Sequence, residues 1–482
     1  GGNVQITTSR AGGTKAGSII VNNTITATNS SSVNPRTLSL LARNNVVVYK
    51  DIILTGSGYS SPRPNPVPNL LIQTDVNDIV VQAGLKLNGT DQSVSSDTVA
   101  NGGDVTLNAA GRVKIATNGY IESKGANNTG SGVGGNGGKV TLNGTNGVSV
   151  LSYINTTAGA RAGTSDVTLS RPGTLVIETA NTNPGFLDGQ SGSTLAVGNI
   201  IKKGAGRIVL TSTRWAGHST SANILYKAQD TIYDGTLKLG TATTLSDSAN
   251  IYVNSGTYSG TGVLDLGGFS ETIGTIAGAG TISSTAGILT MSGGTTISTS
   301  TPILTNFSGG LVGPFGLIKN GVDSLQLSGD NATTNVYTGV FTITNGVVKI
   351  SNQNALGTTA GNTIVNGNGT ILLDSNNYTI DEPFTISADG VATSQGAIRN
   401  LGKVTTLAGA ITLGASARIT SAGYNTVQPL DSLIITGGIN TANASYVLTL
   451  DVQDGMRISS VISGAGGITK VGNDTLRLTN AN

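Results

Sequence analysis

The chain has 482 residues, of which 37% are hydrophobic and only 11% are charged, with 70 glycines, no cysteine and a net charge of +2. The lack of cysteine excludes disulfide bonds and thiolate metal sites, and the small net charge argues against binding to nucleic acid or anionic lipid. The chain has no run of 18 apolar residues, so we expect no membrane-spanning helix. Abundant Val, Ile and Thr argue against disorder and favour strands.

Short stretches of alternating apolar and polar residues occur along the chain and are bounded by Gly, Asn and Asp. Alternation with a period of two over four to six residues predicts short β-strands joined by tight turns. Helical spacing of the apolar residues is nowhere sustained, so the predicted fold class is all-β. The clearest alternating stretches are residues 105–107, 113–115, 140–142, 148–150, 264–266 and 325–327.

An internal repeat marks the first part of the chain. Residues 102–107 (GGDVTL) recur as residues 137–142 (GGKVTL), and the shorter segment 165–169 (SDVTL) is related to both. A second strand follows, such as residues 112–115, and then a more exposed strand that ends in a polar loop, such as residues 120–123. Two or three short strands per repeat, with glycine at the corners, predict one coil of a β-solenoid.

A different repeat marks the second part of the chain. The pattern Lys-x-Gly-x-x-x-aliphatic-x-Leu occurs at residues 202–210, 319–327 and 470–478. Two of these copies are followed by a strand of related sequence, which is DGTLKL at residues 234–239 and NGVVKI at residues 345–350. The second part therefore also predicts stacked coils, built from another repeating unit.

The change of repeat predicts two consecutive β-solenoid segments, residues 1–198 and 199–482. One coil cannot bury its apolar side chains alone, so stacked coils align Val, Ile and Leu into ladders. A coil of about 20 residues would add about 4.8 Å, which makes the chain on the order of 100 Å long. An array of β-sandwiches is the alternative fold, but the aromatic content of 4% favours a narrow core of small aliphatic side chains.

Three stretches are predicted to be loop insertions. Residues 60–68 are rich in proline, which lacks the amide hydrogen that a strand ladder requires. Residues 125–138 form a Gly/Asn loop. Residues 211–230 contain Trp215 and His218, the only tryptophan and the only histidine in the chain.

The repeats resemble those of two bacterial families. Residues 1–170 resemble the haemagglutinin-type repeats of two-partner secretion exoproteins, through the Gly-Gly-x-Val-x-Leu strands and residues 43–48 (RNNVVV). Residues 200–482 resemble the passenger-associated repeats of autotransporters, through the three Lys-x-Gly motifs and residues 264–282. The tyrosine–glycine step that follows the Lys-x-Gly motif in that family is clear only at residues 337–339.

This resemblance implies a right-handed parallel β-helix (β-solenoid) that is exported through an outer-membrane β-barrel to the bacterial cell surface or the extracellular space. It also implies a rod or filament that mediates adhesion, aggregation or biofilm formation rather than catalysis. The implied partners are the outer-membrane translocator, other copies of the chain in fibres, and surface glycans. Because the chain begins and ends in strand-like sequence, we expect it to be an interior piece of a longer protein.

A glycan-binding adhesin is the alternative function. In this hypothesis Arg214, Trp215 and His218 contact a sugar from the loop at residues 211–230, because a tryptophan beside an arginine can form a stacking platform. An anchoring role for Trp215 on the wall of the solenoid is the simpler interpretation.

A polysaccharide-active enzyme is a third hypothesis, which the acidic residues do not favour. Glycoside hydrolysis requires two carboxyl groups at most about 9.5 Å apart, and the four glutamates are widely separated in sequence. Asp381 and Glu382 are adjacent, so in a strand they would point to opposite faces, and Asp451 and Asp454 suit a solvated turn. Residues 134–139 lack the aspartate of calcium-binding repeats. We therefore expect no catalytic residues, no metal site and no cofactor.

Overall fold

The protein, described by a computed structural model, contains 49 strands and no helix within the described residues. The all-β prediction is therefore confirmed for this part of the chain, and the strands form parallel sheets apart from one hairpin. The described residues are 3–8, 17–29, 35–56, 59–60, 63–64, 66–93, 99–130, 133–146, 148–150, 152, 154–156, 174–178, 185–187, 195–196, 199–203, 207–210, 229–233, 235–242, 245, 247, 249–254, 262–293, 304–374, 377–391, 396–402, 404–423 and 431–480.

The chain divides into two compact units, Gly1–Asp265 and Leu266–Asn482. This division follows spatial contacts, whereas the boundary predicted near residue 198 follows a change of sequence repeat, and that boundary stays a prediction. The strands of the first unit are β1 (Val4–Thr7), β2 (Ile19–Val21), β3 (Ile25–Asn29), β4 (Thr37–Ala42), β5 (Val46–Val48), β6 (Ile52–Gly56), β7 (Tyr59–Ser60), β8 (Arg63–Pro64), β9 (Asn69–Thr74), β10 (Ile79–Val81), β11 (Gly84–Lys86), β12 (Val105–Ala109), β13 (Val113–Ile115), β14 (Tyr120–Glu122), β15 (Val140–Gly144), β16 (Val148–Val150), β17 (Ile154–Asn155), β18 (Thr174–Glu178), β19 (Gly185–Leu187), β20 (Leu195–Ala196), β21 (Asn199–Lys203), β22 (Arg207–Leu210), β23 (Gln229–Ile232), β24 (Thr236–Leu239), β25 (Asn250–Val253) and β26 (Val263–Asp265).

Apart from the β7–β8 hairpin, the strands of the first unit fall into three stacks that the chain visits in order. Each strand pairs in parallel with the strand that the chain reaches when it returns to the same stack. We call one passage through the stacks a circuit. Stack one contains β1, β4, β9, β12, β15, β18, β21, β23 and β25; stack two contains β2, β5, β10, β13, β16, β19, β22, β24 and β26; stack three contains β3, β6, β11, β14, β17 and β20.

Inward side chains of the first unit align from one circuit to the next. Val105 pairs in register with Leu70 on one side and with Val140 on the other, and all three side chains are buried. Each such side chain contributes roughly 1.5–3 kcal/mol of burial energy. The amide of Asp104 and the Asn69 side chain that it contacts lie 35 positions apart in sequence, so a circuit here is longer than the predicted coil of about 20 residues.

Polar side chains extend the ladder where the strands end. Asn69 Oδ1 accepts a hydrogen bond from the Asp104 amide at 2.9 Å, and Asp104 Oδ1 accepts one from the Lys139 amide at 2.8 Å. At the corner before stack two, Asp78 Oδ1 accepts a hydrogen bond from the Arg112 amide at 2.7 Å. Backbone amides that have no strand partner are therefore bonded to the preceding circuit by side chains.

The insertion predicted at residues 60–68 includes part of an antiparallel hairpin. Strand β7 pairs with β8, and Tyr59 aligns with Pro64. Proline cannot donate to a parallel ladder, so its position in a separate hairpin agrees with the physical basis of the prediction.

The glycine-rich loop predicted at residues 125–138 is hydrogen-bonded to the loop of the preceding circuit. The Ala126 amide donates to the Ala100 carbonyl at 2.9 Å, and the Val99 amide donates to the Val133 carbonyl at 3.1 Å. Val99, Ala100 and Ala126 form a small buried apolar cluster. The loops of two successive circuits thus pair with each other and extend the stacking outward from the strands.

The second unit repeats this organisation with shorter circuits. The hydrogen bond from Thr344 Oγ1 to Asn320 Oδ1 joins adjacent circuits across 24 positions in sequence, close to the predicted coil length. Its strands are β27 (Glu271–Ile273), β28 (Thr275–Gly278), β29 (Thr281–Ser283), β30 (Ile288–Met291), β31 (Leu304–Phe307), β32 (Gly310–Val312), β33 (Gly316–Lys319), β34 (Ser324–Leu327), β35 (Phe341–Ile350), β36 (Thr363–Leu373), β37 (Tyr378–Ile380), β38 (Phe384–Ser387), β39 (Ile398–Asn400), β40 (Thr405–Leu407), β41 (Ile411–Leu413), β42 (Ala417–Ser421), β43 (Leu433–Ile435), β44 (Ile439–Asn440), β45 (Val447–Val452), β46 (Met456–Ile458), β47 (Ile462–Ser463), β48 (Gly467–Val471) and β49 (Leu476–Leu478).

Two long strands belong to two stacks of the second unit at once. Strand β35 pairs with β33 through its first half and with β34 through its second half, and β36 pairs with β38 and β39 in the same manner. Stack one of this unit contains β27, β30, β33, β35, β36, β38, β41, β44 and β47; stack two contains β28, β31, β34, β35, β36, β39, β42, β45 and β48; β29 pairs with β32, and β37, β40, β43, β46 and β49 form stack three.

Candidate functional site

The predicted glycan contacts Arg214, Trp215 and His218 lie outside the described residues, so the adhesin hypothesis based on them stays a prediction. Within the described residues, no group of three or more His, Cys, Asp or Glu side chains could hold a metal ion. No helix in the same part of the chain is long and apolar enough to cross a membrane.

The two acidic pairs considered for catalysis have different surroundings. Asp381 is exposed, whereas Glu382 is buried. The Asp451 carboxylate pairs with Arg418 at 3.2 Å, and Asp454 Oδ1 accepts the amide of the residue that follows it at 3.0 Å. The contacts of Glu382, Asp451 and Asp454 are those of side chains that hold the backbone and neighbouring strands in place.

Glu382 is a buried carboxyl group next to stack one of the second unit. Thr363 Oγ1 donates a hydrogen bond to Glu382 Oε1 at 2.8 Å, while Glu382 Oε2 is buried without a hydrogen-bond partner. Burial raises the pKa of Glu382 from its ordinary value of 4.5 to about 7, and the Thr363 hydrogen bond only partly offsets this shift. Burial, with a smaller contribution from Glu382, also raises the pKa of the Tyr337 hydroxyl.

A buried lysine occupies the corner between stacks one and two of the second unit. Lys319 Nζ lies 2.7 Å from Asp323 Oδ1 and also donates to the Gly321 carbonyl. The Lys319 side chain is 1% exposed and that of Asp323 is 9% exposed. Burial lowers the pKa of the Lys319 amine, an effect that the Asp323 carboxylate opposes. Lys319, the lysine that begins this copy of the Lys-x-Gly motif, therefore points inward and stabilises the turn that follows it.

The other copies of the Lys-x-Gly motif have related positions. Lys202 is fully buried at the end of β21, and the chain enters stack two at β22. Lys470 Nζ donates to the Gly472 carbonyl at 2.8 Å between β48 and β49. The Lys470 contact lies at the corner between stacks two and three, whereas Lys319 lies at the corner between stacks one and two. The motif is therefore found at different corners of the stacks.

Glycines of successive circuits meet at the Lys319 corner. A Cβ on Gly321 would lie 2.1 Å from the Gly293 Cα, and a Cβ on Gly346 would lie 2.3 Å from the Gly321 carbonyl oxygen. Gly293 and Gly346 also have positive φ angles of 68° and 77°. A side chain at these positions would separate adjacent circuits, which explains why glycine recurs in the motif.

Comparisons with known proteins give no match. No family model, no curated protein and no solved structure matches this chain. The resemblance to the two families of bacterial repeats therefore stays a prediction from the sequence.

The tyrosine–glycine step at residues 337–339 forms an aromatic corner. The Tyr337 ring packs edge-on against Phe315 with centroids 5.2 Å apart, and its hydroxyl donates to the Val340 carbonyl at 3.1 Å. A Cβ on Gly339 would lie 1.8 Å from the Phe315 carbonyl oxygen. The tyrosine fills the interior of the corner and the glycine lets the next circuit approach closely.

A polar cluster lies outside stack two of the second unit, and the sequence analysis named only Asp451 among its residues. Arg399 on β39 aligns with Thr420 on β42, and Thr420 aligns with Asp451 on β45. Arg418 lies two residues before Thr420 on the same outward side of β42. Arg399, Thr420 and Asp451 come from three circuits and share no motif, so only the strand register brings these three residues together.

Proposed function

We propose that each unit is a right-handed parallel β-solenoid and that the protein is a structural or adhesive rod on the outer surface of a bacterium. The observation that supports this proposal best is the in-register parallel pairing of strands from successive circuits, as for β9, β12 and β15. Each circuit adds about 4.8 Å to such a stack. The length of the rod then depends only on the number of circuits.

A right-handed path is supported by the connection from β4 to β9. These strands are parallel neighbours in stack one, and the chain passes through β5 and β6 between them. Connections between parallel strands of one sheet are right-handed in about 98% of cases, because the twist of the strands favours that direction.

The interior of the stacks suits a mechanical role. Aliphatic ladders such as Leu70, Val105 and Val140 exclude water, and backbone hydrogen bonds run between all adjacent circuits of stack one in this region. Local opening of one circuit would expose its neighbours and break both of its ladders. We therefore propose a stiff rod that resists proteolysis.

An extracellular position and adhesive partners belong to the same proposal. The low content of charged residues and the surface of Thr, Ser and Asn suit weak, multivalent contacts with glycans, other cells or further copies of the rod. The resemblance to two-partner secretion exoproteins and autotransporters supports export through an outer-membrane β-barrel, followed by display at the cell surface.

Electron cryomicroscopy of the purified chain tests the fold in this proposal. We expect particles with an axial spacing of about 4.8 Å and a density map in which the chain turns in a right-handed direction. Compact particles without that spacing would contradict the solenoid, and a left-handed path would contradict only the handedness.

A cell-binding assay tests the adhesive role separately. Beads coated with the chain should adhere to bacterial or host cells and to one another more strongly than beads coated with a non-adhesive globular protein. If the coated beads neither adhere nor aggregate, the adhesive role is wrong and a purely structural rod remains.

A further inference from the structure

The outward side of stack one in the second unit is a surface without charged residues, which we call the stack-one face. Among the stack-one residues of its nine strands, all of which the structure describes, Glu271 and Lys319 are the only charged residues, and both side chains are buried. The other stacks differ, since Lys349 and Arg399 lie on the outward side of stack two and Arg457 lies on that of stack three.

Side chains of the stack-one face form a continuous ladder along the sheet. Thr342 aligns with Ile364, Ile364 aligns with Thr385, and Thr385 aligns with Thr412 in successive circuits. Each of these side chains is half-buried, and its neighbours on the same strand point inward. Because strands in a sheet are about 4.8 Å apart, the face presents a row of short side chains at that interval.

Aliphatic side chains are exposed to solvent on this face. Ile288 is 42% exposed and Val340 is 43% exposed, and both lie on the outward side of the stack. Ile318 and Ile364 are half-buried members of the central ladder. Contiguous apolar areas on the surface of a protein commonly mark interaction sites, so the face has the composition of a surface that another molecule covers.

Polar side chains of the face are hydrogen-bonded to one another across circuits. Thr385 Oγ1 accepts a hydrogen bond from Asn362 Nδ2 at 3.1 Å, and Thr344 Oγ1 donates one to Asn320 Oδ1 at 2.6 Å. These groups keep their partners when water is displaced from the face. Such internal pairing lowers the free energy that is required to bury a polar surface against another molecule.

The size and the periodicity of the face suit a second copy of the same chain. The nine strands span about 40 Å along the stack, and their outward side chains extend over roughly 15–20 Å across it. The resulting area of about 600–800 Å² approaches the roughly 800 Å² per partner of a standard stable interface. A second copy has side-chain rows at the same interval, so two such faces match along their whole length.

We propose that the stack-one face binds the same face of a second copy of the chain and joins two rods side by side about a two-fold axis. The two sheets of a β-sandwich pack face to face in this way, about 10 Å apart. Because the face has no charged residues, identical residues that meet across the axis do not repel each other. The proposal rests on the rod proposed above and specifies which surface joins the copies.

Sedimentation velocity and negative-stain electron microscopy of the full chain test the proposal. We expect a reversible equilibrium between monomer and dimer, with dimers that are twice as wide as the monomer where the copies overlap. A chain that stays monomeric up to about 100 μM would overturn the proposal, and so would a dimer of unchanged width. An elongated monomer would leave the proposed rod intact, whereas a compact monomer would contradict the rod as well.

The Ile364→Glu variant identifies the face, because Ile364 lies on β36, the middle strand of the stack. We expect the dissociation constant of the dimer to rise at least tenfold, since the interface would bury an unpaired carboxylate. Leu372→Glu is the matched control: Leu372 is a half-buried, outward residue of the same strand, but it lies on stack two. Equal weakening by both variants, or no weakening by Ile364→Glu, would overturn the proposal.

The dependence on salt distinguishes an uncharged interface from attraction between charged surfaces. We expect the dissociation constant not to rise between about 0.05 M and about 0.5 M NaCl, because the stack-one face has no ion pair for salt to screen. Dimers that dissociate as the salt concentration rises would indicate contact through the charged sides of the other stacks and would contradict the proposal. Should Ile364→Glu fail to fold, Thr342→Glu on the same ladder replaces it, since Thr342 is already polar.

Discussion

Lys319 and Gly346 touch across two successive circuits: a Cβ on Gly346 would stand 2.9 Å from Lys319 Nζ. The same Cβ would lie 2.5 Å from the Asp323 carbonyl oxygen, and Gly346 has a φ angle of 77°. The lysine of one repeat and the glycine of the next therefore form a single packed corner. This contact relates the Lys-x-Gly motif to the NGVVKI strand that follows it.

Gly346→Ala should therefore destabilise the second unit by about 2 kcal/mol or more. The positive φ angle alone costs a residue with a side chain roughly 1–2 kcal/mol, and the contacts with the preceding circuit add to that cost. Urea unfolding followed by circular dichroism measures the change. Gly438→Ala is the matched control, because its Cβ would meet only the Val461 carbonyl oxygen, at 3.9 Å. Equal effects of the two substitutions would contradict close packing at the corner.

The Lys319–Asp323 pair should show strong coupling in a double-mutant cycle. Lys319→Met leaves the Asp323 carboxylate buried without its cation, and we expect a loss of about 3 kcal/mol or more. The double variant Lys319→Met with Asp323→Leu should recover much of that loss, since no isolated charge remains. Chemical unfolding of the four proteins in the cycle measures the coupling free energy.

Lys470→Met is the control for this cycle. Lys470 belongs to the same motif and donates to the Gly472 carbonyl at 2.8 Å, but it is exposed. Its replacement should cost much less than that of Lys319. A coupling free energy near zero between Lys319 and Asp323 would mean that the buried pair does not act as a unit.

The sequence predicted the repeated architecture but not the role of the motif lysine. Glycine, lysine and leucine recur together because they occupy one type of corner, and that recurrence is visible in the sequence. A lysine in an alternating pattern is ordinarily assigned to the solvent side. Lys319 points inward because the Gly321 carbonyl and the Asp323 carboxylate are within reach of its amine, a local geometry that alternation cannot reveal.

Circuit length and the polar cluster outside stack two could not be predicted from the sequence, for different reasons. The predicted coil of about 20 residues is too short for the first unit, because the strand pattern does not show how much loop each circuit contains. The pairing of the loop at residues 125–138 could not be predicted for the same reason. Its hydrogen-bond partners, Val99 and Ala100, lie in the preceding circuit. Arg399 and Thr420 are adjacent only through strand register, which no local pattern specifies.

Glu382 should make the second unit less stable as the pH rises. The folded protein holds the Glu382 proton up to about pH 7, whereas the unfolded chain releases it near the ordinary pKa of 4.5. Its stabilising contribution is therefore greatest below pH 4.5 and decreases as the pH rises through 7. The total decrease attributable to this group is on the order of 3 kcal/mol.

Thermal unfolding between pH 4 and pH 8 measures this effect. Glu382→Gln keeps a neutral side chain at every pH, so its unfolding temperature should exceed that of the wild type at pH 8 and approach it at pH 4. Asp381→Asn is the control, because Asp381 is the exposed neighbour of Glu382. If Glu382→Gln and the wild type respond to pH in parallel, the pKa of Glu382 is not raised in the folded state.

The side-chain ladder in the first unit should be visible in amide hydrogen exchange. Asp104 Oδ1 accepts the Lys139 amide from the next circuit at 2.8 Å, so Asp104→Ala removes the acceptor of that amide. A loss of about 1 kcal/mol in this hydrogen bond corresponds to roughly fivefold faster exchange at Lys139. Asp104→Asn retains a side-chain oxygen at the same position and should leave exchange nearly unchanged. Equally fast exchange in both variants would mean that the negative charge, rather than the acceptor position, protects the amide.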